Sequence, residues 1–207
     1  MGESSDEDSQ TGVDQLRRAV AFFSGASKCE REKWVCRELL RSAGVEFAES
    51  EVTSSANEPP DVCFRTARFE VKEILDPGRE RHREYKEALV EALANGGVPN
   101  EQIGYSPKDI TPVGVGELIK AKLAELANHY APAVRTNLDA LLYVNLTEHW
   151  LTVGPMPQPQ TFAQYGWRSV SAVYGGRHAL FFDATTSAPE FLRARVGTVL
   201  TEIVEDA

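Results

Sequence analysis

The chain has 207 residues, a formal charge of −9, and 42% hydrophobic and 26% charged residues, as expected of a folded globular chain able to bury its own core. No apolar run approaches the roughly 20 residues a membrane helix requires, so a membrane-spanning class is not expected. The acidic start, Met1-Gly2-Glu3-Ser4-Ser5-Asp6-Glu7-Asp8, lacks the apolar segment of a signal peptide, and the three cysteines (Cys29, Cys36, Cys63) have no metal-ligand spacing, so a cytoplasmic protein with reduced thiols is expected.

Residues 1–10 read as a disordered acidic tail, leaving 11–207 as a single domain. Thr11-Gly12-Val13-Asp14 resembles a helix cap, followed by Val13, Leu16, Val20 and Phe23 at helical spacing. Ser24-Gly25-Ala26 breaks that helix, and Ser27-Lys28-Cys29-Glu30 opens a second one that ends at Gly44. Residues 45–52 are strand-like, 53–60 form a polar loop, and two strands follow over 61–66 and 68–75. Asp76-Pro77-Gly78 is a turn before a helix over 79–95, with Tyr85, Leu89 and Leu93 on its apolar stripe and Gly96-Gly97 as its stop.

The Pro- and Gly-rich stretch 98–116 is either a functional loop or a set of short elements. An amphipathic helix is predicted over 115–130, and a central strand over 138–146. Gly175-Gly176-Arg177 marks a hairpin between strands over 167–174 and 179–183. Ser187-Ala188-Pro189-Glu190 caps a last helix running to about Val204. This order predicts a mixed α/β fold with a central mixed β-sheet flanked by helices.

Chemistry concentrates in Pro60-Asp61 and, after eight intervening residues, Glu70-Val71-Lys72. On a strand, Glu70 and Lys72 point to one face, and Phe69 and Val71 to the other. Asp61, at the start of the preceding strand, can reach the polar face. Two acids beside a lysine can hold a divalent metal and activate a water, which is the chemistry of phosphodiester hydrolysis. The bland reading of the same residues is an exposed ion pair worth little.

This pattern, with a helix before it and a helix after it, resembles the PD-(D/E)XK nuclease superfamily, which includes restriction endonucleases. The fuller run from Arg31-Glu32-Lys33-Trp34 to Asp76-Pro77-Gly78 resembles a bacterial family of uncharacterised endonucleases. The resemblance implies a restriction-endonuclease-like core and a metal-dependent endonuclease acting on nucleic acid, with DNA the expected substrate. It further implies Mg²⁺, with Mn²⁺ as an alternative, on Asp61, Glu70 and the carbonyl of Val71. Lys72 would orient or deprotonate the attacking water, and the products would be a 5′-phosphate and a 3′-hydroxyl. An acid on the first helix often joins such sites. Val35, Cys36, Leu39, Leu40 and Ala43 form one apolar stripe, and stepping back along it lands on Glu32 as the candidate to position a metal-bound water.

Charge weighs on the other side. Glu3, Asp6, Glu7, Asp8, Glu202, Glu205 and Asp206 place seven negative charges at the two ends, and the basic residues from Arg65 to Lys86 are matched by neighbouring acids. No basic patch follows, and tight sequence-independent DNA binding is not expected. Two alternatives therefore stand: a nuclease-fold binding or assembly subunit without turnover, and a metal-dependent hydrolase of a small phosphorylated substrate. Cutting both strands of a duplex would favour a homodimer. His82, His129, His149 and His178 share no metal-ligand spacing. Lys120 and Lys122 fit a solvated helix face, and Gly114-x-Gly116 reads as loop punctuation more readily than as a phosphate cradle.

Overall fold

Apolar and polar residues alternate from Ala67 onward, and the chain there forms the strand around which the sheet is built. The computed structural model describes residues 3–95 and 107–201, except for the side chains of residues 3–10. Two helices come first, α1 (Glu3–Phe22) and α2 (Lys28–Ser42), followed by the meander β1 (Val52–Ser54), β2 (Val62–Phe64) and β3 (Ala67–Leu75). Next are α3 (Arg81–Ala94), β4 (Lys108–Ile110), α4 (Pro112–Leu126) and the short α5 (Pro132–Arg135). The remainder is β5 (Asp139–Asn145), β6 (His149–Leu151), α6 (Gln160–Ala163), β7 (Ser169–Tyr174), β8 (His178–Ala184), α7 (Glu190–Arg193) and β9 (Val199–Thr201).

Where a single body over 11–207 is expected, the chain divides into two compact units, Met1–Arg31 with Pro77–Ser106, and Glu32–Asp76 with Pro107–Ala207. In the first unit, Phe23 stacks on Tyr85 at 5.2 Å, and the Arg81 guanidinium lies 3.5 Å from the Phe23 ring centroid. Helix α1 starts at Glu3, well before the expected cap at Thr11, and takes in most of the acidic stretch. Carboxylates in the first turns of a helix interact favourably with its dipole, so the same charges that suggest a tail also suit a helix start. On α3, Tyr85 meets Phe23 as its apolar position suggests, but Leu93 is exposed. The Gly96-Gly97 stop and residues 98–106 lie outside the described residues.

The second unit holds a seven-stranded mixed sheet in the order β1-β2-β3-β5-β7-β8-β9, the central mixed sheet flanked by helices that the element order predicts. Strands β3, β5 and β7 run parallel at its centre, and antiparallel strands complete both sides. One face packs Val35, Leu39 and Leu40 of α2 against Phe64, Phe69, Val71 and Phe181. The other packs Val115, Ile119 and Leu123 of α4 against Ala140, Leu142, Val170 and Phe182. Each fully buried Leu or Phe contributes on the order of 1.5–3 kcal/mol, so these two layers hold the sheet rigid between them. Pro112 at its first turn and the Thr111 hydroxyl, which accepts from the Gly114 N–H at 3.3 Å, start α4 three residues earlier than its apolar spacing suggests.

Two expected elements differ. Residues 45–52 form a 3₁₀ turn (Glu49–Glu51) and only then a strand, because β1 begins where it can pair with β2. The expected last helix stops at Arg193, and Val199–Thr201 pair with β8 as an edge strand. Helical spacing there competes with an open sheet edge, and the ladder hydrogen bonds win. Residues 202–204 lie outside the described residues.

Asp76 pins the end of β3 to the chain after β5. Its Oδ2 accepts from the Thr147 N–H at 2.7 Å and the Thr147 hydroxyl at 3.1 Å. Burial works to raise this carboxyl, but the bonds from Thr147 outweigh it and hold it below the usual carboxylate range. A depressed acid contributes stability above its unfolded pKa of about 3.9 and loses it as pH falls through the folded value. Asp76→Ala is therefore expected to cost about 1–3 kcal/mol at neutral pH. Its urea-unfolding free energy should also change less than that of the wild type below about pH 4. Parallel pH curves for the two proteins would remove this role from Asp76.

Candidate active site

The two faces of β3 serve different ends. Phe69 and Val71 point into the layer under α2, so Glu70 and Lys72, one position out of phase, lie on the α4 side, opposite Ala140 and Leu142 of β5. Strand β2 begins at Val62, and Asp61 stands directly before it, with its N–H donating to the Phe69 carbonyl at 3.0 Å. Pro59 and Pro60 have no N–H and cannot extend that ladder. Past that point the Asp61 side chain takes over from the ladder, its Oδ2 accepting the Val71 N–H at 2.9 Å.

This arrangement gathers three oxygens around one nitrogen. Lys72 Nζ lies 3.2 Å from Asp61 Oδ2 and 3.2 Å from the Val71 carbonyl, and it donates to Glu70 Oε1. Asp61 and Glu70 are both 3% exposed, so this is a buried cluster and not the surface ion pair of the bland reading. The Tyr130 hydroxyl donates to the same Glu70 Oε1. Glu70 Oε2 is buried and has no hydrogen-bond partner among the described residues. Two carboxylates and a carbonyl gather around the Lys72 ammonium, and Glu70 Oε2 is still open; hard oxygens of this kind are the donors that Mg²⁺ or Mn²⁺ takes.

Burial is the largest influence on the Glu70 carboxyl and pushes it up, against the lowering effect of Lys72 and Tyr130. Burial and the bond to Glu70 push the Tyr130 hydroxyl up to about 12. For Lys72, burial works against the ammonium, but the bond to Glu70 and the charges of Asp61 and Glu70 outweigh it, and the group stays above its ordinary value. Lys72 is thus held as a cation in this cluster.

Tyr130, beyond the end of α4, carries no local signal that would have revealed it. Its place is set by Arg135, only 9% exposed, whose Nη1 donates to the carbonyls of Tyr130 and, at 3.2 Å, Ala127, while Nε donates to the Tyr165 carbonyl at 2.8 Å. Its ring meets Trp167 edge-on at 5.7 Å. Tyr130→Phe keeps this packing and removes one donor to a buried carboxylate. Its expected cost is about 1.5 kcal/mol of unfolding free energy, at the low end for a bond to a charged group because the tyrosine is half-buried. Equilibrium urea denaturation reads this, and a change within about 0.3 kcal/mol would mean the bond has no energetic consequence.

Asp139, fully buried at the start of β5, is a second acid the apolar spacing passes over. Its Oδ1 accepts from Arg168 Nε at 3.0 Å and Ser169 Oγ at 2.7 Å, and its Oδ2 accepts from the Arg68 N–H at 2.8 Å and Arg168 Nη2. These bonds tie together the starts of β3, β5 and β7 beside the cluster.

Among the described residues Glu32 does not join Asp61 and Glu70 in a metal-holding group. It is buried at 7% exposure on α2, which packs on the opposite face of the sheet from Glu70 and Lys72. Among the described residues no group of three or more His, Cys, Asp or Glu side chains is placed to hold a metal, so Glu32 does not add a third carboxylate to Asp61 and Glu70. Helical spacing places Glu32 inward, but the face of the sheet it meets depends on chain crossing. Gly114 and Gly116 are packing residues: a Cβ at Gly114 would lie 2.9 Å from Ile110 Cγ1, and one at Gly116 3.0 Å from Pro157 and 3.4 Å from Phe162. Lys120 and Lys122 pair with Glu117 and Glu125, as a solvated helix face would have them. Burial pushes the Cys36 thiol up to about 12, which suits a core residue and not a nucleophile.

With this geometry in hand, the chain belongs to the family described as "Putative endonuclease, protein of unknown function (DUF1780)", whose model matches residues 7–204. Its structure is similar to a solved protein of unknown function from Pseudomonas aeruginosa strain PAO1, described as of the Monooxygenase Superfamily. The two share 28% identity and a TM-score of 0.67, over 97% of this chain and 96% of that one. No curated protein matches the chain. Among the described residues no helix is long and apolar enough to cross a membrane.

Proposed function

We propose that this protein is a metal-dependent endonuclease of PD-(D/E)XK type that hydrolyses phosphodiester bonds of DNA, with Asp61, Glu70 and Lys72 as its catalytic residues. The observation that carries this reading is the convergence of Asp61 Oδ2, Glu70 Oε1 and the Val71 carbonyl on the Lys72 ammonium, which gathers two acids, a carbonyl and a lysine in one buried cluster. The order of α2, the β1-β2-β3 meander, α4 and the parallel strand β5 supports it, because the resemblance implies a site on such a hairpin. The endonuclease description of the family agrees.

Asp61, Glu70 and the Val71 carbonyl would hold the ion, Mg²⁺ by preference and Mn²⁺ as a substitute. When bound, it would polarise the phosphate and lower the pKa of a water. The remaining steps fall to side chains of the cluster. Lys72, kept as an ammonium by its two carboxylates, orients the water and offsets the negative charge that grows on the phosphate oxygens. A lysine held this firmly protonated suits that role better than the alternative of taking the water's proton. Tyr130 fixes the rotamer of Glu70 and keeps Oε1 turned toward the cluster.

The monooxygenase description belongs to the structural relative. In this chain the gathered groups are two carboxylates, a carbonyl and an ammonium, a set suited to a hard cation beside a phosphate, and they favour hydrolysis. Incubating the full chain with duplex and single-stranded DNA and RNA, in Mg²⁺, Mn²⁺ or EDTA, tests the reading. Cleavage that requires metal is expected. Metal-independent cleavage would count against the proposed site, and metal binding with no cleavage of any nucleic acid would overturn the endonuclease assignment.

A further inference from the structure

Arg68, Glu70 and Lys72 stand on one face of β3 at two-residue spacing. The last two are bonded to each other, and Lys72 also reaches Asp61. Arg68 differs. Its amide N–H is held by Asp139, yet its side chain is exposed, and its guanidinium has no hydrogen bond or ion pair among the described residues. Three other arginines of this unit are paired with acids: Arg65 with Glu51 at 2.8 Å, Arg41 with Glu38 at 2.6 Å, and Arg168 with Asp139.

Asp139, beside it across β3 and β5, cannot take the guanidinium as well. Both of its oxygens already accept two bonds each, from Arg168 Nε and Ser169 Oγ on Oδ1 and from the Arg68 N–H and Arg168 Nη2 on Oδ2. In a chain with a formal charge of −9, this leaves a planar cation without a carboxylate among the described residues, one same-face step from Glu70. That step is about 7 Å along a strand, comparable to the distance between neighbouring phosphates of an extended polynucleotide. A guanidinium matches phosphate oxygens in a two-pronged geometry that an ammonium cannot reproduce.

We infer that Arg68 binds the phosphate next to the one attacked at Glu70 and Lys72, so that the substrate is recognised as a polynucleotide backbone and not as a small phosphorylated molecule. The inference rests on the hydrolytic reading of Asp61, Glu70 and Lys72. It assigns Arg68 to substrate binding, and the pairing of Arg168 with Asp139 to keeping Arg68 available.

The test compares full-length wild type, Arg68→Gln and Arg68→Lys on two substrates. One is a labelled oligonucleotide; the other is bis(p-nitrophenyl) phosphate, a diester with no neighbouring phosphate. Oligonucleotide binding is measured in EDTA across a salt titration, and hydrolysis in Mg²⁺. Arg68→Gln should weaken oligonucleotide binding about tenfold, the lower end for a lost charge-assisted bond, and flatten the log–log salt dependence by about 0.7–0.9. Its kcat/KM should fall much more on the oligonucleotide, through KM, than on the single diester, and Arg68→Lys should restore the salt slope. A wild type that cleaves DNA alongside an Arg68→Gln protein of unchanged slope and KM would overturn the inference and leave the nuclease reading standing. Equal losses on both substrates would make Arg68 a structural support and likewise overturn it. A wild type that hydrolyses the single diester but neither binds nor cuts the oligonucleotide would overturn both.

Discussion

Lys72→Ala should abolish metal-dependent cleavage, with a loss of at least about 10²–10³-fold in kcat, the scale seen when one preorganised charge-stabilising group is removed. Two effects combine. The phosphate loses the cation that offsets its developing charge, and Asp61 and Glu70 lose the ammonium that both now bond. The deletion also leaves Glu70, already pushed up by burial, facing Asp61 without a counter-charge, so Glu70 is driven toward its neutral form. Lys72→Met, which keeps the stem and its packing, separates charge from shape and should be as inactive as Lys72→Ala while retaining a cooperative unfolding transition. Lys72→Arg should stay well below wild type, because a planar fork does not fit where a compact ammonium reaches three oxygens. Full activity in Lys72→Ala would remove the lysine from the mechanism and with it the basis for reading this strand as a nuclease motif.

Asp139→Ala should be among the most destabilising single changes in the sheet unit, at about 3–5 kcal/mol, the cost of removing one partner of a buried ion pair. Arg168, whose side chain is only 12% exposed, would keep its charge and lose its carboxylate. The Ser169 hydroxyl and the Arg68 N–H would lose their acceptor in the same step. Asp139→Asn keeps the shape and part of the bonding, and should fall between wild type and alanine. Chemical denaturation measures all three, and the expected fall in Tm for alanine is on the order of 10 °C for a unit of this size. A loss below about 1 kcal/mol for alanine would show that water or repacking replaces the carboxylate, and that the starts of β3, β5 and β7 do not depend on it.

The parts of the site that could be read in the chain are those governed by local periodicity. Glu70 and Lys72 share a face because they are two apart on a strand, and Asp61 joins them because a tight turn at Arg65-Thr66 folds β2 back on β3, pairing Phe64 with Ala67. The apolar stripes on α2 and α4 and the run of β5 could be read for the same reason. Tyr130 could not, because it meets Glu70 across sixty residues and sits in a helix-end turn with no distinguishing pattern. Asp139 looks like an ordinary strand start until Arg168 and Ser169 arrive from a different strand. The stripe on α2 placed Glu32 inward, and it is buried, but a helical stripe does not say which face of a sheet buries a residue. Residues 199–201 read as helix by spacing and became a strand because β8 had an unpaired edge to offer.

By itself, then, the sequence determined the alternating strand that carries an acid and a lysine on one face, the proline-led aspartate before it, and the amphipathic helices that cover a mixed sheet. These follow from periods of about 2 and 3.6 residues, which every segment carries within itself. Only the tertiary structure decided that Lys72 stands among three oxygens, that Tyr130 bonds Glu70, and that Asp139 is saturated while Arg68 has no side-chain partner among the described residues. Those facts depend on which strands become neighbours and in what register. Register is set by long-range packing of whole faces, and no short stretch of chain contains it.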